Sequence, residues 1–288
     1  MKIAAFDVGS NSVRLLLAKD GVKVLKTSKV TKLAENLDAT GTLSDNAVER
    51  TLCALLSFYR KAADFGATEF YAFATEAMRK AKNPESLIAP FKRETGVTIS
   101  VISGEKEADL GLKGALKGKD GGLIDLGGAS LELTVQKGGE VVYSKSLPIG
   151  IVRVKNFIES GRGDVKDYIR EILKGFSDAP ETDEFTMIGG TATHLCAIDS
   201  GLSPYDPDKV NGYVLTKEKL DEFADTFSKL TVSEIANLKG ATADRADTVY
   251  GGALVLSLLC ETLKIRKATV SEDDNLDGFL YYLTEDNK

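Results

Sequence analysis

Histidine, cysteine and tryptophan are scarce in this chain. Its 288 residues include one His, three Cys and no Trp. A metal site built from two or three histidines is therefore impossible within one chain. Cys53, Cys196 and Cys260 lie far apart and form no CxxC pair, so we expect a reducing compartment and neither a disulfide framework nor a zinc knuckle. A metal would have to be held by oxygen ligands, and Mg²⁺ is the usual such ion.

Long apolar runs are also missing. No stretch of about 18 apolar residues occurs, which excludes a membrane-spanning helix. The first residues meet glycine and charge too early for a signal peptide, so we expect a cytoplasmic protein. The hydrophobic share of 43% and the charged share of 28% are typical of a soluble globular chain. The length corresponds to about two ordinary domains.

Charge is distributed unevenly along the chain. The net charge is −6, but residues 1–120 carry 19 basic and 15 acidic side chains, whereas residues 121–288 carry 18 basic and 28 acidic ones. The overall acidity argues against a general nucleic-acid binder. A polyanion, if one is bound, should be drawn in along the first half.

An internal repeat organises the sequence. Residues Phe6 to Leu15 align with residues Ile124 to Leu133, 118 positions later. Each copy has an apolar run, Asp-x-Gly, two further residues, Ser and a second apolar run. A glycine turn at residues 20–21 recurs at the same offset at 138–139, so each copy predicts three strands joined by two turns. We therefore predict two similar α/β domains, spanning residues 1–120 and 121–288, with packing of the final helix on the first domain as an alternative.

The rest of the chain alternates between helical and strand patterns, which predicts parallel strands covered by helices. One helix is predicted over 44–65, with Ser44 as its N-cap and Gly66 just past its end. A buried strand is predicted over 97–102 from its β-branched content. A long helix is predicted over 243–264.

Glycine turns after predicted strands are candidate phosphate sites. Backbone N–H groups in Gly9–Ser12 and Gly127–Ser130 could point together at an anion. Phosphate would repel Asp7 and Asp125 unless a metal bridges them, so these residues are candidates for holding Mg²⁺ or orienting water. A third turn, Gly189–Thr191, opens a predicted helix, where a helix N-terminus receives phosphate. A single motif of this kind is ordinarily only a tight turn. Two copies in register favour a functional role over that explanation.

Several charged residues are informative only in combination. Arg79 follows another predicted strand, where its planar fork could clamp phosphate, although a solvated side chain is the commoner role of an isolated Arg. Glu105 and Glu107 open a helix, where acidic residues ordinarily complement the helix dipole. His194 lies just inside the helix that follows Gly189–Thr191, and we expect a structural or solvated imidazole.

Taken in order, these motifs resemble the exopolyphosphatase/guanosine pentaphosphate phosphohydrolase family. The matching segments are Asp7-Val-Gly-Ser-Asn-Ser12, Thr75-Glu-Ala-Met-Arg79, Ile102-Ser-Gly-Glu-Lys-Glu-Ala108, Asp125-Leu-Gly-Gly-Ala-Ser-Leu-Glu132 and Gly189-Gly-Thr191. Weaker similarity continues through Leu147-Pro-Ile-Gly150, Asp244-Arg-Ala246 and Val270-Ser271, so the resemblance covers essentially the whole chain.

The resemblance implies a fold and an activity. The implied fold is two actin-like, ribonuclease H-like domains with mixed sheets flanked by helices and a cleft between them, in a short two-domain form. The implied reaction is Mg²⁺-dependent release of terminal orthophosphate from polyphosphate or guanosine pentaphosphate. A homodimer is implied as well, and we expect no nucleic-acid or membrane partner.

The resemblance also implies roles for single residues. Glu107 is expected to activate the attacking water, Arg79 to hold phosphate, and Asp125 to act near the metal or the water. The implied metal ligands are Asp7, Asp125 and Glu132. The implied phosphate-binding residues are Gly9, Ser10, Asn11, Ser12, Gly127, Gly128, Ala129, Ser130, Gly189, Gly190 and Thr191.

The chain departs from the family pattern at several positions, including Val154-Lys155-Asn156 after the Pro-x-Gly turn. Ala129 stands where a third glycine is usual and is expected to narrow the phosphate path. Lys106 replaces an acidic residue and is expected to add positive charge beside the catalytic site. Leu276 stands where an arginine is typical. Two other functions therefore stay open: a non-catalytic sensor of an alarmone or polyphosphate, and an ATP-dependent small-molecule kinase on the same fold.

Overall fold

The computed structural model describes residues 1–285, and the chain divides into two compact units. Unit 1 comprises Met1–Gly114 together with the C-terminal segment Asn275–Lys288. Unit 2 comprises Ala115–Asp274. The two ends of the chain are thus parts of the same unit. No helix in residues 1–285 is both long enough and apolar enough to cross a membrane.

Unit 1 is built around a five-stranded mixed sheet with the strand order β3-β2-β1-β4-β5. Its elements are β1 (Lys2–Val8), β2 (Ser12–Lys19), β3 (Val22–Val30), α1 (Leu37–Thr40), α2 (Asp45–Phe65), β4 (Glu69–Ala74), α3 (Glu76–Lys80), α4 (Glu85–Thr95), β5 (Ile99–Val101), α5 (Gly104–Ala115) and the C-terminal helix α13 (Asn275–Glu285). Strands β1, β2 and β3 form an antiparallel meander, and β4 and β5 run parallel to β1.

Unit 2 is built around a six-stranded mixed sheet with the order β10-β11-β9-β6-β7-β8. Its elements are β6 (Gly121–Leu126), β7 (Leu131–Lys137), β8 (Glu140–Leu147), α6 (Ile151–Ser160), α7 (Val165–Leu173), a short 3₁₀ turn (Lys174–Phe176), β9 (Phe185–Ile188), α8 (Gly190–Asp199), α9 (Pro207–Val210), β10 (Val214–Thr216), α10 (Lys217–Phe227), α11 (Val232–Ala236), α12 (Val249–Thr262) and β11 (Lys267–Val270). Strands β9 and β11 continue the sheet parallel to β6.

The three strands predicted in each copy of the repeat are confirmed, and their registers match. Residues that lie opposite one another across three neighbouring strands are Asp7, Arg14 and Ser28 in unit 1, and Asp125, Glu132 and Ser146 in unit 2. A shift in the pairing register also recurs at the 118-residue offset. It lies between Leu17 and Ala18 in β2 and between Val135 and Gln136 in β7. The sequence repeat is therefore a repeat of backbone structure.

The C-terminal helix α13 completes the core of unit 1. Leu276 and Leu280 pack with Phe73 and other buried residues of the sheet. A Cβ atom on Gly278 would lie 1.8 Å from the carbonyl oxygen of Leu110, so α13 can approach α5 this closely only with glycine there. Leu276, one of the residues expected to depart from the resemblance, is fully buried.

Helix ends with local signals were well predicted. The Ser44 hydroxyl accepts a hydrogen bond from the N–H of Ala47 at 3.3 Å, and Gly66 ends α2 with φ 80°. The strand predicted over 97–102 is present as β5, but it has only three residues and lies at the sheet edge with two of them exposed, so the predicted burial is wrong. The helix predicted over 243–264 begins only at Val249, because residues 243–248 form turns.

Candidate functional site

In each unit the predicted site residues follow strands that end at the same edge of a sheet. Parallel strands β1, β4 and β5 of unit 1 lead into Gly9–Ser12, Arg79 and Glu107 respectively. Parallel strands β6 and β9 of unit 2 lead into Gly127–Ser130 and Gly189–Thr191. Ligands of open α/β sheets bind outside the carboxyl ends of the strands. Each unit therefore has a candidate ligand-binding edge.

The first glycine loop is held through its carbonyl groups. The carbonyl oxygens of Ser10 and Asn11 accept hydrogen bonds from backbone N–H groups of residues 31–34, each at 2.9 Å. In a trans peptide the C=O and the N–H point to opposite sides. The N–H group of Asn11 is therefore directed away from residues 31–34. The side chains of Ser10, Asn11 and Ser12 are buried.

The second glycine loop is held in the same way by a different element. The carbonyl oxygens of Gly127 and Gly128 accept hydrogen bonds from the N–H groups of Ile151 (3.1 Å) and Val152 (2.8 Å), at the start of α6. The N–H groups of Gly128 and Ala129 consequently point away from α6. Successive N–H groups on one side of a turn make an anion-binding concavity. Ala129 itself is buried, at 2% exposure.

Glycines outside the loops allow these close approaches. A Cβ atom on Gly150 would lie 2.4 Å from the backbone nitrogen of Ala129, so α6 reaches the loop only because residue 150 is glycine. A Cβ atom on Gly252 of α12 would lie 2.5 Å from Cγ2 of Thr191. Gly150 therefore lets α6 approach the backbone of the second loop, and Gly252 lets α12 approach the side chain of Thr191 in the third turn.

The third glycine turn lies beside the second loop. Gly189 has φ 87°, and a Cβ atom there would lie 2.7 Å from Oδ1 of Asp125. The hydroxyl of buried Thr191 donates a hydrogen bond to the carbonyl oxygen of Leu126 at 3.4 Å. This side chain thus joins the turn to β6. An anion at the turn would meet the backbone N–H groups at the start of α8.

Arg79 and Glu107 form one ion-paired cluster. Nη1 of Arg79 donates to Oε2 of Glu107 at 2.7 Å and to the carbonyl oxygen of Ile102 at 2.9 Å, while Nη2 donates to Oε2 of Glu76 at 3.0 Å. Burial lowers the pKa of Arg79, but the two carboxylates outweigh burial and leave the pKa above its ordinary value. The guanidinium therefore stays charged and fixed beside Glu107.

Glu76 is the second anchor of this cluster. Its Oε1 lies 2.5 Å from the ammonium of Lys80, and its side chain is largely buried. Burial raises the pKa of Glu76, but Lys80 and Arg79 outweigh burial and leave the pKa below its ordinary value. Sequence reasoning did not single out this residue, although its spacing of three from Arg79 on a helix is a recognisable signal.

The corresponding positions of the repeat carry different charges. In unit 1, Asp7 lies opposite Arg14, and their charged atoms are 3.4 Å apart. In unit 2, Asp125 lies opposite Glu132, whose carboxylate accepts a hydrogen bond from Ser146 at 2.6 Å. Side chains directly opposite in antiparallel strands lie on the same face of the sheet. Unit 2 therefore pairs two carboxylates where unit 1 pairs an acid with a base.

This charge pattern bears on the predicted Mg²⁺ ligands. Residues 1–285 contain no group of three or more His, Cys, Asp or Glu side chains that could hold a metal by themselves. Mg²⁺ in phosphate sites is commonly held by one or two carboxylates plus substrate phosphates. Asp125 and Glu132 fit that donor set. Asp7 fits less well, because a cation would compete with the Arg14 guanidinium.

Lys106 contacts two side chains of unit 1. Its ammonium lies 3.2 Å from Asp109 and 4.2 Å from the ring centroid of Tyr282 on α13. The added positive charge expected beside the catalytic site stays a prediction.

Arg245 belongs to the weakly matching segment Asp244-Arg-Ala246, but sequence reasoning gave it no role in the site. A Cβ atom on Gly190 would lie 2.2 Å from Nη1 of Arg245, so the guanidinium lies directly against the first residue of α8. Because residues 243–248 were expected to begin a helix, no local signal connected Arg245 with the third turn. The tertiary structure brings a cation to that turn.

The chain is similar to known proteins in both sequence and structure. The Ppx/GppA phosphatase family model matches residues 17–285. A bifunctional 3-dehydroquinate synthase/phosphatase of Fusobacterium nucleatum is 32% identical over 96% of this chain, which spans 45% of that protein's length. Exopolyphosphatase 2 of Mycobacterium tuberculosis is 29% identical, over 96% of this chain and 97% of that protein. The crystal structure of the Aquifex aeolicus Ppx/GppA family member superposes with a TM-score of 0.78 at 30% identity, covering 100% of this chain and 99% of that one. The expected fold class, actin-like with mixed sheets flanked by helices, is confirmed.

Proposed function

Because the chain belongs to the Ppx/GppA phosphatase family, we propose that it releases orthophosphate from the end of inorganic polyphosphate or guanosine pentaphosphate. The observation that carries the proposal is the duplicated glycine loop. In both units the loop carbonyls are hydrogen-bonded on one side, so that amide N–H groups face the other side. Two such loops suit a substrate made of linked phosphates.

Glu107 is the residue we propose as the general base. Water attacks the terminal phosphorus, the bond to the bridging oxygen breaks, and the Glu107 carboxylate accepts the water proton. Arg79 holds Glu107 at 2.7 Å and, as a charged guanidinium, is suited to stabilising negative charge on the transferring phosphoryl group. Glu76 keeps Arg79 in place from the other side.

Mg²⁺ is part of the proposal, with Asp125 and Glu132 as its protein ligands. Their place on opposed positions of β6 and β7 supports this assignment. When bound, the ion would neutralise charge on the phosphate oxygens. Ser146, which donates a hydrogen bond to Glu132, would orient that carboxylate towards the ion.

The decisive experiment is phosphate release by Glu107→Gln. We expect at least about a 100-fold loss of turnover, because general-base catalysis commonly contributes that much. The folded state should survive, since the glutamine oxygen can still accept the hydrogen bond from Arg79. Release is measured from tripolyphosphate, long-chain polyphosphate, guanosine pentaphosphate and ATP, with and without Mg²⁺, and thermal unfolding is followed in parallel.

Glu105→Gln is the matched control, because Glu105 is exposed and lies in the same first turn of α5. It should retain full activity. Near-normal release by Glu107→Gln would contradict the role of Glu107. Binding of polyphosphate without release by the native protein would favour a sensor, and ATP turnover that requires an added acceptor would favour a kinase. Equal activity without Mg²⁺, or in Asp125→Asn, would remove the metal from the proposal.

A further inference from the structure

The segment that precedes α12 runs along one face of α8. Positions spaced by four and three along a helix lie on the same face. Three such positions meet the segment in reverse chain order: Gly190 lies against Arg245, His194 bonds to Thr242, and Ala197 lies against Gly240. A Cβ atom on Gly240 would lie 2.0 Å from the carbonyl oxygen of Ala197, so the two backbones are in direct contact there.

His194 is the side chain that ties the middle of this segment to α8. Its Nε2 accepts a hydrogen bond from the backbone N–H of Thr242 at 3.1 Å, and the imidazole is 6% exposed. Accepting at Nε2 requires the neutral ring, with its proton on Nδ1. Burial, and then the charge of Arg245, lower the pKa of His194 to about 4, against an opposing effect of Asp244. The acceptor is therefore retained at neutral pH.

Arg245 lies three residues after Thr242, in the same segment. Its guanidinium lies against Gly190, at the N-terminal end of α8 where the helix dipole is positive. Two positive features side by side favour an anion between them. The guanidinium fork also matches the geometry of phosphate oxygens. A shift of residues 240–245 would move this cation away from the turn.

We propose that His194 is a positioning residue for substrate binding: it fixes residues 240–245 on α8 and thereby holds Arg245 where it can contact a substrate phosphate at Gly189–Thr191. The identity of that substrate rests on the proposed function. The positioning itself rests on the hydrogen bond to Thr242 and on the contacts that flank it.

The test compares His194→Leu, which removes the acceptor, with His194→Gln, whose side-chain oxygen can replace Nε2. In the leucine variant we expect at least tenfold faster amide hydrogen exchange in residues 240–246. We also expect a several-fold higher KM for tripolyphosphate, with kcat within about twofold of native. The glutamine variant should restore both values towards native. Replacing a residue that only stabilises the fold would not raise KM while leaving kcat near native.

Arg245→Gln supplies the coupling measurement. It should raise KM by a similar factor, and the double variant with His194→Leu should be no worse than Arg245→Gln alone, because both changes remove the same contact. Thr242→Pro, which deletes the donated N–H, should resemble His194→Leu. Thr242→Ala, which keeps that N–H, is its control. The proline variant also covers the case in which His194→Leu fails to fold.

Unchanged exchange in both His194→Leu and Thr242→Pro would overturn the proposal, and so would fully additive effects of His194→Leu and Arg245→Gln on KM. If the native protein releases no phosphate from any substrate, the proposed function fails. The role of His194 is then decided by exchange and by the Kd of tripolyphosphate from calorimetry. A native-like Kd in His194→Leu would overturn it.

Discussion

At the scale of single residues, one substitution within the repeat separates the two units. Arg14 and Glu132 occupy corresponding positions opposite Asp7 and Asp125. An acid beside a base is neutralised within the protein, whereas two acids side by side repel each other unless a cation or a proton is added. The same backbone therefore carries an internal ion pair in unit 1 and two carboxylates at opposed positions in unit 2, where we propose that Mg²⁺ binds.

His194 makes a prediction about stability and pH. The pKa of an ordinary histidine is 6.5, and that of His194 is lowered to about 4. Between these values the unfolded chain binds a proton that the folded chain does not, so folding is favoured above about pH 6.5 and this contribution is lost as the pH falls towards 4. The chain has no other histidine to titrate there.

We therefore expect His194→Gln to lose less stability on acidification than the native protein. From about pH 7 to about pH 5 the difference should be roughly 2 kcal/mol in the free energy of unfolding, at 1.36 kcal/mol per pKa unit. Urea unfolding at several pH values measures it. Parallel pH profiles for the two proteins would show that His194 already carries an ordinary pKa.

At the scale of elements, the conformation of each glycine loop depends on a segment that lies outside its own β-hairpin. Residues 31–34 hold the first loop, and the start of α6 holds the second. In both cases the neighbour takes the carbonyl groups, and the opposite side of each peptide is left to the N–H groups. The conformation of each loop is thus fixed by contacts on the side opposite its N–H groups.

Gly150→Ala tests this support. Its φ of −146° suits any residue, so strain of the backbone is not the issue. The added methyl would lie 2.4 Å from backbone atoms of Gly128 and Ala129 and must push α6 and the loop apart. Overpacking of this kind costs typically about 1–3 kcal/mol. We expect lower thermal stability and a several-fold higher KM for tripolyphosphate.

The control is Gly104→Ala, where nothing lies within 4 Å of the new Cβ atom. It introduces the same methyl group at the first residue of α5 and should leave stability and KM near native. A Gly150→Ala variant indistinguishable from Gly104→Ala would show that contact with α6 does not set the second loop.

At the scale of the whole molecule, the return of the chain into unit 1 changes the distribution of charge. Residues 1–120 alone have a net charge of +4, but unit 1 leaves out residues 115–120, includes the acidic C-terminal segment and has a net charge of +1. Unit 2 has a net charge of −7. The difference in net charge between the two units is smaller than that between the two halves of the sequence, but unit 1 is still the more positive.

Electrostatic steering of a polyanion should therefore depend on the lysines of unit 1. Reversing exposed Lys29 and Lys61 to Glu should lower kcat/KM for long-chain polyphosphate several-fold at low salt. The difference from native should shrink as salt is raised, because screening removes long-range attraction. The measurement is the salt dependence of kcat/KM. Reversing exposed Lys166 and Lys264 of unit 2 is the control, and an equal effect of both pairs would refute steering by unit 1.

Features that depend on neighbouring residues could be predicted from the sequence. The repeat, its offset of 118, the three strands of each copy and the caps at Ser44 and Gly66 follow from alternation, turn glycines and side-chain capping. Each of these signals depends on residues that lie close together in the sequence, so it is visible without the tertiary structure. The positions of the predicted site residues after strands β1, β4, β5, β6 and β9 follow for the same reason.

Partners that lie far apart along the chain were decided only by the tertiary structure. Arg79 meets Glu107 across 28 residues and His194 meets Thr242 across 48. Lys106 turns to Tyr282 of α13, and Arg245 reaches Gly190. Such pairs depend on strand order and on how helices pack over the sheet, which no local pattern contains. The sequence by itself thus determined where the loops and carboxylates occur along the chain, and long-range packing determined which charges face one another.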